Sequence, residues 1–341
     1  MTADIKIENF AFDPIKPDGI ELNLVMTAKR YTTSTSTQNT KGLTLLFTHS
    51  IGAFKECWEP TIETLYANHN PENESLRIRE IWSFDKPNHG DAALINADKL
   101  HGRPRGVPAS EFALQLLTFV NSPLVKGHRL VPIGHSNGCD GWMLATKYID
   151  LSRIPYLATI LVESGHMPSK VMDENSELID FLVSTATKLT LKMKDRWASK
   201  EEALKFFSKS RAWSTYDPAA IKLVVEHGLY ELPNGEGVTF KSPKEQQALG
   251  YGSETPEHRE AGHQVGEVAR YIPVYLIQGE ISNQVPQDIR DTQFVHATAV
   301  SIVEGAGHMV VQEQPIALAK HISDMLLKIP STPAKAPPSK L

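Results

Sequence analysis

The chain has 341 residues, 41% hydrophobic and 22% charged, proportions of an ordinary globular protein long enough for one large domain with an insertion or for two smaller ones. A net charge of -5, with lysine and arginine spread along the chain in no basic block, argues against nucleic acid or an acidic polymer as partner. Two cysteines, Cys57 and Cys139, in so long a chain suit a reduced intracellular protein, with Cys139 read as a small buried hydrophobe.

The opening MTADIKIENF lacks a cationic segment followed by an apolar run, so no secretory signal is expected. Nor does any stretch approach the roughly 18 apolar residues of a membrane span. IKIENFAF (5–12) and IELNLVMTAKRY (20–31) read as antiparallel strands joined by a Pro17-Asp18-Gly19 turn. LTLLFTH (43–49) has the uniform apolarity of a central parallel strand, and IREIWSFD (78–85), HRLVPIG (128–134), LATILVE (157–163), IPVYLIQG (272–279) and AVSIVEG (299–305) continue the series. Pro132 counts mildly against the strand that contains it. Helical patterns lie between, including SEFALQLLTFVN (110–121) and CDGWMLATKYID (139–150). This alternation predicts an α/β fold, a mostly parallel central sheet with helices on both faces.

Between the strands ending near Glu163 and Gly279 the alternation stops for over a hundred residues. KVMDENSELIDFLVSTATKLTLKM (170–193), SKEEALKFFSKS (199–210) and DPAAIKLVVEHGL (217–229) read as amphipathic helices, and the stretch as a whole as a helical cap. The expected division is a core over 1–165, a cap over 166–270, the rest of the core over 271–329, and a tail over 330–341. The tail, PSTPAKAPPSKL, has no core-forming residues and ends in Ser339-Lys340-Leu341, the tripeptide read by the peroxisomal import receptor at a free C-terminus. A peroxisomal location and that receptor as partner are therefore expected.

RLVPIGHSNGCDGW (129–142) carries the chemistry. A strand that ends in Gly-x-Ser-x-Gly and turns at once into a helix holds Ser136 on a tight bend, its oxygen projecting from the carboxyl edge of the sheet. Side chains at Gly134 or Gly138 would collide with the neighbouring strand and helix, and backbone N–H groups at the helix start can stabilise negative charge. Serine needs a base to take its proton, and His308, in the Gly-rich EGAGHMVVQEQP after the last strand, has the right chain order and loop position.

GHSNG after a strand, GAGHMV before the terminal helix and DKPNHGDA (85–92) after the fourth strand together resemble the α/β-hydrolase superfamily over residues 20–329. THSIGAFKECWEPTIE, the cap segment YDPAAIKLVVEHGLYELPNGEGVTFKSPKE and the SKL ending are similar to fungal peroxisomal hydrolases, a group with a peroxisomal lipase and hydrolases of host-selective toxin biosynthesis. In many relatives the triad acid is an Asp three residues after the glycine of the penultimate strand, where this chain has Ser282. Two carboxylates can substitute. Glu163 is favoured, because an ionisable group ending an apolar strand is costly to bury without a partner and because some hydrolases of this fold carry their acid there; Glu280 is the alternative. The resemblance implies an oxyanion hole from the amides of Asn137 and Ile51. Ser50 stands where the family usually has glycine, placing a further hydroxyl donor at the substrate, and His49 is read as orienting this loop. Trp58 is a candidate lining residue of the substrate cavity.

No Gly-Lys-Ser/Thr phosphate loop, Gly-x-Gly-x-x-Gly, His-Glu-x-x-His or paired-cysteine cluster is present, so neither cofactor nor metal is expected, and His89 and His166 are read as loop-fixing residues. A carboxylate nucleophile, needed for epoxide or haloalkane hydrolysis on this fold, is replaced by Ser136. The sequence thus predicts a serine esterase, lipase or thioesterase acting through an acyl-enzyme on a small apolar or secondary-metabolite substrate, with Phe181, Leu182, Phe206, Phe207 and Leu229 of the cap available to it. An acyltransferase with the same triad and an inactive binding protein are the alternatives.

Overall fold

A computed structural model of the chain describes residues 4–14, 22–253, 255–281 and 285–330. The Pro17-Asp18-Gly19 turn, Ser282 and the Ser339-Lys340-Leu341 ending lie outside the described residues. Eight strands form one sheet: β1 (Ile5–Phe12), β2 (Met26–Thr33), β3 (Leu43–Thr48), β4 (Ile78–Asp85), β5 (Arg129–His135), β6 (Thr159–Val162), β10 (Val274–Gly279) and β11 (Ala299–Val303). Their order across the sheet is β1-β2-β4-β3-β5-β6-β10-β11. β2 pairs antiparallel with β1 and β4, and every other pairing is parallel. Three further strands between β6 and β10 form a small antiparallel sheet in the insertion, β7 (Arg196–Trp197), β8 (Leu229–Glu231) and β9 (Val238–Phe240), ordered β7-β9-β8.

The central strands are buried along their whole length, as their unbroken apolar runs require once helices cover both faces. One face packs α1 (Glu59–Asn68) and the terminal α14 (Pro315–Leu326) over Leu45, Phe47, Ile133 and Ile277. The other packs α4 (Ala109–Val120), α5 (Asn137–Ala145) and α11 (Thr255–Val268) over Leu46, Trp82, Phe84 and Leu161. Two short helices, α2 (Gly90–Ile95) and α3 (Ala97–Leu100), lead from β4 toward α4. Pro132 sits in the middle of β5, opposite Leu46 of β3. It is tolerated because pairing with β6 is interrupted there: an isolated bridge joins Leu130 to Tyr156, and the ladder starts only at Ile133 and Ile160.

The insertion differs from its sequence reading in detail. The expected helix over 170–193 is two helices, α6 (Ser169–Glu174) and α7 (Ser176–Lys192), broken at Asn175, whose side-chain amide donates to the Val171 carbonyl at 2.8 Å and competes with helix continuation. α8 (Lys200–Lys209) begins with a capping box, Ser199 accepting from the Glu202 amide at 3.3 Å and Glu202 from the Ala198 amide at 2.9 Å. α9 (Pro218–Leu223) is capped by Asp217 and unwinds at Gly228 into β8. α10 (Lys244–Ser253) packs along α7, while α11 lies on α5 and buries Ala261, Val265 and Val268 in the core. α12 (Gln287–Asp291) and α13 (Val310–Glu313) flank β11.

The contacts that fix the bend after β5 are backbone contacts. A Cβ on Gly138 would lie 2.7 Å from the Thr48 carbonyl oxygen, and one on Gly134 2.6 Å from the Cys139 amide nitrogen. Neither neighbour can yield without moving β3 or α5, so Gly138→Ala should lower stability by about 1–3 kcal/mol. Urea unfolding of wild type and variant at equal m-value checks this, and an unchanged midpoint would contradict it.

Candidate active site

Ser136 is the residue between β5 and α5, held at φ 52° and ψ -121°. Its amide donates to the Val162 carbonyl at 2.9 Å and its carbonyl accepts from the Cys139 amide at 2.8 Å, so a conformation that costs a non-glycine residue about 1–3 kcal/mol is enforced from both sides. Glu163, directly after β6, has φ 50°, and these two are the only non-glycine residues with positive φ among the described residues. The conformation turns the Glu163 side chain toward the same edge of the sheet. Its Oε1 accepts from the Gly279 amide at 2.6 Å, leaving Oε2 to face the loop after β11.

That loop carries His308. Its ring Nδ1 lies 2.9 Å from Glu163 Oε2 and its Nε2 3.1 Å from Ser136 Oγ. With Nδ1–H donating to the carboxylate, Nε2 presents a lone pair to the serine hydroxyl, the arrangement proton removal requires. The loop approaches β10 so closely that a Cβ on Gly279 would stand 2.4 Å from the Ala306 and Gly307 carbonyl oxygens. Glu280 is exposed and accepts from the Gly305 amide at 2.9 Å; it braces the start of the loop and does not reach the imidazole. The structure therefore brings Ser136, His308 and Glu163 together and leaves the alternative acid outside the group.

Three buried imidazoles fix the surrounding loops, and burial lowers the proton affinity of each. His135 donates through Nε2 to the backbone carbonyl of His308 at 2.9 Å, and burial pushes its pKa down to about 3. His49 donates through Nδ1 to the Ser50 carbonyl at 2.8 Å and accepts the Lys86 amide on Nε2 at 3.1 Å. His89 accepts the Gly52 amide at 3.0 Å, which occupies the amide next to Ile51. The Ile51 amide itself donates to no group among the described residues. Ser50 is buried, and its hydroxyl has no hydrogen-bond partner among the described residues. Asn137, the residue after the serine, starts α5, and its side-chain oxygen accepts from Lys86 Nζ at 3.1 Å.

Trp58 is fully buried, its ring centroid 4.6 Å from Phe47 and 6.4 Å from His135, so it packs beneath the strand that carries the serine bend. The apolar side chains of the cap divide between buried and exposed. Phe207 and Leu229 are buried, Phe207 packing against Trp197 and Trp213 with ring centroids 4.9 and 4.6 Å away, whereas Phe181 is exposed on α7. No spacing rule linked Asp140, His166 and His258, yet α5, the stretch after β6 and α11 bring them together: Asp140 Oδ1 accepts from His166 Nε2 at 2.6 Å and from His258 Nδ1 at 2.9 Å. Burial alone would raise the Asp140 carboxyl, but the two imidazoles outweigh it and hold it well below the usual carboxylate range. His135 was missed as well, although its place inside Gly-x-Ser-x-Gly was the available signal.

A family profile described as the alpha/beta hydrolase family matches residues 45–321. The chain belongs to the alpha/beta hydrolase family. A search of curated protein sequences returns no significant match. Among solved structures, this hydrolase is similar to the peroxisomal alpha-beta-hydrolase of Saccharomyces cerevisiae, at 20% identity and TM-score 0.73 over 99% of this chain and 93% of the yeast one. An esterase of M. tuberculosis matches at 17% identity and TM-score 0.64 over 94% and 92% of the two chains. The thioesterase domain of the curacin biosynthetic pathway matches at 16% identity and TM-score 0.58 over 95% and 99%. At these identities the likenesses establish the shared fold.

The buried neutral imidazoles set an acid limit on this hydrolase. For His135 the proton affinity is lower in the folded than in the unfolded chain, so its contribution to stability is complete above pH 6.5 and is lost as pH falls from 6.5 toward 3. His135 alone should remove about 2 kcal/mol by pH 5. A thermal-unfolding series from pH 8 to pH 4 checks this; His135→Gln, which keeps a donor but cannot titrate, should show a shallower decline, and parallel curves for the two proteins would contradict it.

Proposed function

We propose that this hydrolase cleaves an ester or thioester of an apolar acyl or secondary-metabolite substrate through an acyl-enzyme on Ser136. The observation that carries the reading is the continuous hydrogen-bond path from Ser136 Oγ through both nitrogens of His308 to Glu163. Ser136 Oγ attacks the carbonyl carbon while its proton moves to His308 Nε2, and the oxyanion is received by the amides of Ile51 and Asn137. His308 returns the proton to the departing alcohol or thiolate. Water, deprotonated by the same nitrogen, then releases the acid. Glu163, fixed by the Gly279 amide, holds the Nδ1–H tautomer and steadies the imidazolium. Ser50 adds a hydroxyl at the oxyanion, a buried donor that has no hydrogen-bond partner among the described residues.

The neighbouring esterase and thioesterase folds support acyl transfer to water. Likeness to a yeast peroxisomal hydrolase supports a peroxisomal place of work, for which the import receptor would read Ser339-Lys340-Leu341. An inert binding protein has no use for two strained residues facing one imidazole.

A fluorophosphonate probe should label the wild type at Ser136 and fail to label Ser136→Ala or His308→Ala; a wild type that never labels would overturn the reading. On p-nitrophenyl esters and acyl-CoA thioesters of increasing length, Glu163→Gln should lower kcat by about three to four orders of magnitude, as loss of the tautomer-fixing carboxylate does in such triads. Glu280→Gln, which touches only the Gly305 amide, should stay within about tenfold of wild type. The reverse ranking would move the acid to Glu280. Deleting Leu341 from a fusion with an N-terminal fluorescent protein should disperse it from peroxisomes, and an unchanged punctate pattern would refute the address.

A further inference from the structure

Asp140, His166 and His258 form a second cluster beside the nucleophile helix, separate from the triad. One ligand-type atom from each lies within 4.8 Å of the other two. Asp140 and His166 are buried, and the His258 side chain is 27% exposed. Both imidazoles address the same carboxylate oxygen, Oδ1, while Oδ2 accepts from the Asn137 side-chain amide at 3.0 Å. We propose that Asp140, His166 and His258 constitute a binding site for a divalent transition-metal ion of the zinc class.

Two imidazole nitrogens and one carboxylate oxygen are the donor set of three-ligand zinc sites, with the fourth position left to water. The same set disfavours magnesium and calcium, which demand mostly oxygen ligands. With metal–ligand bonds of about 2.0–2.1 Å, ligand atoms in a tetrahedral site stand roughly 3.3 Å apart. The two carboxylate–imidazole separations of 2.6 and 2.9 Å therefore need to open by less than an ångström, and the two imidazole nitrogens, within 4.8 Å of each other, need to settle at the same spacing. The exposed edge of His258 on α11 supplies the entry path.

The proton balance is simple. Each neutral imidazole gives its lone pair to the ion and carries its proton on the opposite ring nitrogen, Nδ1 of His166 and Nε2 of His258. His166 Nδ1 is buried with no hydrogen-bond partner among the described residues, so it changes from an acceptor to a donor without breaking a bond. Oδ2 keeps its bond to Asn137, and the ion ties α5, the 163–168 stretch and α11 into one unit.

The test uses the full-length protein, stripped with a chelator and dialysed. Cobalt(II) should bind one ion per chain and give visible absorption bands of four- or five-coordinate metal, and zinc should raise the unfolding temperature. His258→Ala and Asp140→Asn should each weaken binding by at least about tenfold, and His308→Ala should leave it intact. No stoichiometric binding up to about 1 mM metal would overturn the proposal. Binding lost in His308→Ala but kept in His258→Ala would also overturn it, since the ion would then sit on the triad imidazole. If Asp140→Asn does not fold, His258→Ala and His166→Gln decide by the same criteria.

Discussion

Two adjacent parallel strands each end in a residue forced into left-handed backbone, and the site follows from that constraint. β5 and β6 run side by side, so Ser136 and Glu163 begin about 4.8 Å apart in the hydrogen-bonding direction. Continuing the strands would lay both side chains on one face of the sheet, against the helices that cover it. Positive φ at both turns them off the carboxyl edge instead, and a single imidazole delivered from the far strand β11 can bridge them. Neither residue relaxes, because each backbone is bonded to the neighbouring strand: the Ser136 amide to Val162 and the Glu163 amide to Ile277.

Holding the bridge in place falls to imidazoles that do no chemistry. A neutral histidine is the one side chain that can donate from one ring atom and accept on another at ordinary pH, which suits it to loops whose buried carbonyls and amides lack mates. His49 uses both atoms on the loop after β3, His89 takes the next amide of that loop, and His135 grips the carbonyl of His308 itself. Burial lowers the proton affinity of all three, which makes them weak bases and keeps each neutral and able to serve as donor and acceptor.

The sheet, its strand sequence, the serine bend and the placing of His308 beside it were legible because each is local. Apolar runs, Gly-x-Ser-x-Gly and a histidine in a Gly-rich loop are readable within ten residues. Glu163 was readable for a different reason, as a carboxylate ending an otherwise apolar strand. Trp58 was not, because a tryptophan near a motif looks the same in sequence whether it faces a cavity or Phe47. The split at Asn175 was hidden too, since the amphipathic period continues across it and only the side-chain bond to Val171 breaks the helix. The Asp140 cluster escaped because its members are 26 and 118 positions apart and meet only when α11 packs on α5.

The insertion is joined to the loop after β3 through a chain of charges that runs from the buried Lys55–Asp85 pair out to Asp91 and Lys241. Asp85, at the end of β4, accepts from the Lys55 amide and from Lys55 Nζ at 2.8 Å each, fixing the loop that carries Ser50 and Ile51. Burial alone would lower the Lys55 ammonium, but Asp85, Glu56 and Asp91 outweigh it and raise its proton affinity, so the hub stays charged. Asp91, held down to about 2 by Lys55 and Lys241 against the opposing effect of burial, also receives Lys241 from the segment between β9 and α10. Removing one member of the buried Lys55–Asp85 pair costs about 3–5 kcal/mol, whereas Asp91, 41% exposed, holds Lys241 at the rim of that pair. The segment around Lys241 and the oxyanion loop therefore share one electrostatic anchor.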